Sequence, residues 1–136
     1  MNRDETPQIN SLELLSSLSI TRRAIRSIKC LPFNLAFYKL ISHKGLNAYE
    51  VFNNKNEFKS NKKKWFKNPN SIEAEFIWLI KIGILRREVD GQGLTSRVRL
   101  TPLGREILDK NQNILLTNAN LIEKIRNKFL MTLNKI

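Results

Sequence analysis

Cysteine and histidine are almost missing: Cys30 and His43 are the only examples in 136 residues. A single cysteine excludes an internal disulfide and fits a reducing compartment. At its helical apolar spacing, Cys30 reads first as a small core residue. One cysteine and one histidine cannot supply the usual zinc ligands, and neither sits in a motif for nucleophilic catalysis. His43, beside a helix end, reads as a capping or surface residue rather than a ligand. Glu73 and Glu75 stand two apart on a helical stretch, so their carboxylates do not converge. There is no Gly-rich phosphate loop and no HExxH pair. The expectation is therefore a protein that is not an enzyme, with no cofactor and no metal. Long apolar runs are missing too. The longest, Phe76 to Leu85, is broken by Lys81 and falls far short of the ~20 residues that span a bilayer. The first twenty residues are polar and slightly acidic, with no secretory signal. These absences predict a cytoplasmic protein without a membrane partner.

Acidic residues are scarce as well: 12 against 24 basic ones, a net charge of +12. That sign favours a polyanionic partner, nucleic acid before an anionic membrane surface. A chain rich in Asn, Lys and Ile also reflects AT-rich codons, but the charge is uneven. Residues 21–44 carry six basic side chains and no acid, residues 45–70 six against two, and residues 71–100 five against four. The excess lies ahead of the apolar stretch that begins near residue 70, which favours a patch over compositional drift.

Along the chain, residues 1–8 read as a flexible tail. Residues 9–31 read as an N-terminal helical extension in two helices. Apolar residues recur at Ile9, Leu12, Leu15 and Leu18, and Ser19 and Thr21 offer caps for a break. Arg22, Arg23, Arg26 and Lys29 form either a solvated face or a phosphate-facing flank. Pro32 suits the first turn of a core helix carrying Phe33, Phe37, Leu40 and Ile41. Leu46 reads as a very short strand or buried connector. Asn47 or Ala48 opens a short helix with Val51 and Phe52 buried. Residues 53–70 are dense in Asn and Lys and read as a loop with one helical turn around Lys62 to Phe66. Trp65 and Phe66 stand among Lys62, Lys63, Lys64 and Lys67. That pattern either pins the loop to the core or serves a nucleic-acid backbone or single strand.

Asn70 or Ser71 is expected to cap the next helix, with Ile72, Phe76, Leu79 and Gly83 on its inner face. Two strands follow, Leu85 to Val89 and Leu94 to Thr101, joined by the turn Asp90-Gly91-Gln92-Gly93. Val98 and Leu100 alternate with Arg97 and Arg99, an apolar-in, basic-out ribbon. Thr101-Pro102 starts another helix. Residues 113–136 read as a C-terminal helix whose stripe of Ile122, Ile125, Phe129, Leu133 and Ile136 folds back on the N-terminal helix or joins a second copy in a homodimer.

Leu79, Gly83, Ile84 and Leu85, then Arg86 and Arg87, the tip Asp90 to Gly93, and Val98-Arg99-Leu100-Thr101-Pro102-Leu103-Gly104-Arg105 resemble the winged-helix regulators of transcription, in particular their MarR and PadR branches. The resemblance covers roughly residues 33–110 and implies a mainly α fold with a small β-hairpin wing, a winged helix-turn-helix domain over 32–112. It implies duplex DNA as partner, the third helix in the major groove and the wing on the backbone. Lys62, Lys63, Lys64 and Lys67, Asn70 and Ser71, and Arg97 and Arg99 are the expected DNA contacts. Asn70, Ser71, Glu73, Ala74, Ile77 and Trp78 would face the groove. The sequence departs there from the Arg, Lys, Gln or Ser usual on such a face. Ile77 and Trp78 are expensive to leave in water, so they read as core or as a partner surface. A protein-docking module and an RNA or single-strand binder stand as alternatives to the DNA-binding reading.

Overall fold

The computed structural model describes residues 11–61, 63–111 and 127–131, the side chains of 11–17 excepted. It is mainly helical, with a two-stranded antiparallel hairpin. The order is α1 (Ser11–Cys30), α2 (Leu35–Ile41), α3 (Ala48–Asn53), α4 (Lys55–Phe58), α5 (Pro69–Lys81), β1 (Leu85–Asp90), β2 (Gly93–Leu100) and α6 (Pro102–Lys110). Residues 127–131 are helical. The expected tail at 1–8 and most of the expected C-terminal helix at 113–136 lie outside the described residues. Among the described residues, no helix is long and apolar enough to cross a membrane.

Several boundaries differ from the expected ones, each for a local reason. α1 is one helix, and Ser19 and Thr21 sit inside it rather than capping a break. Their weak helix propensity costs only about 0.5 kcal/mol each. Ala24 and Ile28, a turn apart, are fully buried, so packing outweighs it. α2 starts at Leu35, not at Pro32. The Asn34 side chain accepts the Phe37 N–H at 3.0 Å, while Phe33 forms an antiparallel bridge with Lys59. α3 opens at Asn47 with a full capping box, Glu50 N–H to Asn47 at 2.8 Å and Asn47 N–H to Glu50 at 3.1 Å. The helical turn expected near Lys62 to Phe66 forms instead at Lys55–Phe58. α5 is capped by Asn68 rather than Asn70 or Ser71: Asn68 Oδ1 accepts the Ser71 N–H at 2.9 Å. Pro69 takes the first position, where its missing N–H is harmless.

α5 ends in a Schellman turn. The Ile84 N–H reaches Leu79 O at 2.9 Å and the Gly83 N–H reaches Ile80 O at 3.1 Å. Gly83 supplies the required positive φ of 86°. The chain passes directly into β1. Leu85 lies opposite Leu100, Arg87 opposite Val98 and Asp90 opposite Gly93, with a bulge between Arg87 and Val89. Leu46 exchanges both backbone hydrogen bonds with Val98, at 3.2 and 2.8 Å. The connector between α2 and α3 thus lays a single bridging residue beside the hairpin.

The Thr-Pro-Leu-Gly stretch closes this unit. The Thr101 hydroxyl donates to Ile84 O at 3.0 Å and accepts the Gly104 N–H at 2.9 Å. α6 then lies so close to Ile84 that a Cβ on Gly104 would stand 2.6 Å from the Ile84 carbonyl oxygen. Further in, Phe33 gathers the aromatic core, with ring centroids at 4.2 Å from Phe37, 5.3 Å from Phe66, 6.1 Å from Trp65 and 6.2 Å from Phe76. Such pairs add on the order of 0.5–1.5 kcal/mol beyond burial. Trp65 and Phe66 therefore pin the lysine-rich loop to the core. The Tyr38 phenol is enclosed as well. Burial first, and the Glu75 carboxylate second, push its pKa upward, so it serves the core as a neutral aromatic.

Replacing Gly104 by Ala should lower the urea midpoint without changing the slope of the transition. The cost expected from overpacking against a backbone carbonyl is roughly 1–3 kcal/mol, readable by circular dichroism.

Candidate nucleic-acid interface

α5 divides sharply into two faces. Ile72, Phe76, Trp78 and Leu79 are buried. Asn70, Ile77 and Lys81 are exposed, with half-buried Ala74 between them. Spacings of four, three and four place these residues on one outward stripe. Trp78, expected as core or partner surface, is only 3% exposed. Its indole N–H donates to Ser27 Oγ at 2.8 Å, and the Ser27 hydroxyl donates to Asn127 Oδ1 at 2.8 Å. This buried relay joins α5, α1 and residues 127–131. Trp78 is thus core, while its neighbour Ile77 is 47% exposed.

The lysine-rich loop does not present all its charges outward. Lys62 lies outside the described residues. Lys63, expected to contact phosphate, is turned inward. Its ammonium donates to the carbonyls of Lys29 and Leu31, the latter at 3.1 Å. Carbonyls at a helix C-terminus lack helical partners and carry the negative end of the dipole, so a cation is favoured there. Lys64 and Lys67 are exposed just ahead of the α5 cap. Asn70 is exposed, but the Ser71 N–H and hydroxyl both go to Asn68 Oδ1, at 2.9 and 3.1 Å. Ser71 is engaged in the cap rather than held open for a ligand.

The hairpin arginines are also engaged, contrary to a simple basic-out ribbon. Arg97 Nε donates to Glu88 Oε1 at 2.7 Å, and Arg99 Nη1 lies 3.9 Å from Glu88 Oε2. Arg99 and Arg105 both donate to Ser42 O, at 3.1 and 3.2 Å, at the end of α2. The bulge between Arg87 and Val89 interrupts the strand's alternation at Glu88. Gly45 leaves room for the carboxylate, because a Cβ there would stand 2.7 Å from Glu88 Oε1. The hydrogen bond from Arg97, with the charges of Arg97, Arg99 and Arg86, holds the Glu88 carboxyl below its usual range. Glu73, on the expected groove face, pairs with Arg87, which also donates to Ser96 O at 3.0 Å. Arg86 is exposed. At the hairpin tip Val89 and Leu94 are 63% and 76% exposed, beside exposed Asp90. The hairpin's cationic part is therefore its base.

Among the described residues, no group of three His, Cys, Asp or Glu side chains could hold a metal ion. What the arrangement offers is an outward helical stripe with cations at both ends: Lys64 and Lys67 before it, Lys81 and Arg86 after it.

A Gly45→Ala variant should displace the flexible Glu88 carboxylate and loosen its grip on Arg97. Carbon-detected NMR titration is expected to show Glu88 titrating below the ordinary value of about 4.3 in the native protein and closer to it in the variant. Because the folded-state pKa is lowered, the Glu88–Arg97 contribution is complete above the ordinary carboxylate range. It fades as the pH falls through the lowered value.

Neither the curated proteins nor the solved structures contain a match to the chain. A family model described as Npun_F0494-like matches residues 15–131. That span runs from α1 through the hairpin and α6 to the helical residues that carry Asn127, and the chain belongs to the Npun_F0494-like family.

Proposed function

We propose that residues 32–111 form a winged-helix unit and that the chain binds duplex DNA, with α5 in the major groove and the base of the hairpin against the backbone. The order α2, Leu46 bridge, α3, α5, hairpin and α6 supports the winged-helix reading. The observation that carries the DNA reading is the stripe Asn70, Ala74, Ile77 and Lys81. The fold leaves it outward while Ile72, Phe76, Trp78 and Leu79 are core. In this reading Lys64, Lys67, Lys81 and Arg86 contact phosphates. Asn70 is the residue type that hydrogen-bonds a base edge, and Ala74 and Ile77 offer apolar contact to a thymine methyl. So few base-reading groups favour general duplex affinity over sharp sequence selection. Arg87 is held back by Glu73, and Arg97 and Arg99 by Glu88. Regulation of transcription and a homodimer through the C-terminal stripe belong to the same reading. Phe129, 61% exposed, supports the dimer.

The protein-docking alternative rested on Ile77 and Trp78. Of these two, Trp78 is buried and Ile77 is exposed. The single-strand alternative rested on Trp65, whose ring packs edge-on against Phe33 and Phe66.

The test is a fluorescence-anisotropy titration of the full chain with a random duplex across a salt series. For four phosphate contacts the log–log salt slope is expected near −3.6, at about 0.9 per contact. Glu88→Gln should tighten binding and steepen the slope by releasing Arg97 and Arg99. Absence of duplex binding at low salt, or a preference for single strands, would overturn the proposal.

A further inference from the structure

Two clefts continue the cationic end of α5 onto α1. The first, about 410 Å³, is lined by Ile20 and Arg23 of α1, by Lys81, Ile82 and Gly83 at the end of α5, and by Leu103 of α6. The second, about 460 Å³, is lined by Leu18, Ser19, Arg22, Arg23 and Arg26 of α1, with Phe129 and Leu130. Arg23 belongs to both, so Lys81, Arg23, Arg22 and Arg26 form one band. Among the described residues, neither cleft has an acidic side chain in its lining. Apolar walls beside charges of one sign focus the potential and strengthen attraction of an anion.

We infer that the α1 arginines are a second phosphate-binding site, which carries the DNA footprint beyond α5 and the hairpin onto α1; this rests on the reading of α5 as the groove helix. Dimensions support it. From Asn70 to Lys81 the helix runs about 16 Å at 1.5 Å per residue, while the major groove is about 12 Å wide. A helix whose N-terminal half lies among the bases therefore carries Lys81 to the groove's edge, where the phosphates are. Arg23 shares a cleft with Lys81 at that edge, and Arg22 and Arg26 extend the contact along α1. Guanidinium groups suit phosphate oxygens because their planar fork matches two acceptors at once. The relay from Trp78 to Ser27 fixes α1 against α5, so the band moves with the groove helix as one body.

The test compares the salt slope of duplex binding for the full-length native chain, Arg22→Ala/Arg23→Ala and a charge-matched control, Lys39→Ala/Lys55→Ala. Both control residues are exposed lysines outside the band. With these two contacts added to the four of the groove helix and hairpin, the native slope steepens to about −5.4; the arginine variant should lose about 1.8 of it, at about 0.9 per phosphate, and bind at least tenfold more weakly at 0.1 M salt. The control should keep its slope, and Arg22→Lys/Arg23→Lys should restore it, which separates lost charge from lost folding. If the native chain binds with a steep slope that Arg22→Ala/Arg23→Ala leaves unchanged, the inference is overturned while the DNA reading stands. If the native chain binds no duplex, both fall. If the variant instead loses co-sedimentation with phosphatidylglycerol vesicles at an unchanged duplex slope, the arginines serve a membrane surface and the inference is again overturned.

Discussion

A single buried N–H orients the middle of this fold. The indole of Trp78 is enclosed, and a buried donor without an acceptor costs about 1–3 kcal/mol. Ser27 supplies the acceptor, and its own hydroxyl proton then goes to Asn127. The three residues come from α5, α1 and the helical segment 127–131, so one relay holds three elements in register. With Ile72, Phe76 and Leu79 directed inward, helical geometry turns Asn70, Ala74, Ile77 and Lys81 outward. Trp78 stands at the edge of that stripe, three residues from Lys81 and four from Ala74, and the relay draws it into the core. The relay also explains why α1, which reads in sequence like an appendage, packs Ala24 and Ile28 without exposure.

Electrostatics sorts the basic excess into two groups. One group builds the fold. Lys63 caps the end of α1, Arg99 and Arg105 meet the carbonyl of Ser42, and Arg87 and Arg97 pair with Glu73 and Glu88. Surface ion pairs of this kind contribute little to stability; their effect here is to aim and neutralise side chains. The other group, Lys64, Lys67 and Arg86 with Arg22, stands exposed and gives the net charge of +12 its outward direction. A count of lysines and arginines overstates the field that a polyanion would meet at the hairpin and misses the field along α1.

Local chemistry made the second half of the chain legible. The Gly83 turn, the hairpin with its Asp90–Gly93 tip and the Thr101-Pro102 helix start each rest on residues close in sequence, and each forms where expected within a residue or so. Two helix starts differ from the sequence reading because asparagines and a proline close together all suit a helix's first turn or cap. Asn34 and Asn68 took the caps that Pro32, Asn70 and Ser71 also suited. The break expected at Ser19 and Thr21 failed because burial further along α1 outweighs propensity. The candidate contacts were less legible, since partners far apart in sequence decide them. Trp78 meets a serine 51 residues away, and Lys63 meets a carbonyl 34 residues away. Glu88 and Arg97 face each other across the hairpin, a pairing obscured by the bulge at Arg87 and Val89.

The central claim is that the outward stripe of α5 is the surface that meets a duplex. Amide chemical-shift mapping of the full chain with a random duplex tests it most directly. The account predicts that the largest changes fall on Asn70, Ala74, Ile77 and Lys81, with smaller ones at Lys64, Lys67 and Arg86, and little change at Val51 and Phe58 in the core. Changes concentrated between α2 and α6, around Leu35, Lys39 and Leu108, with the α5 stripe unmoved, would contradict it.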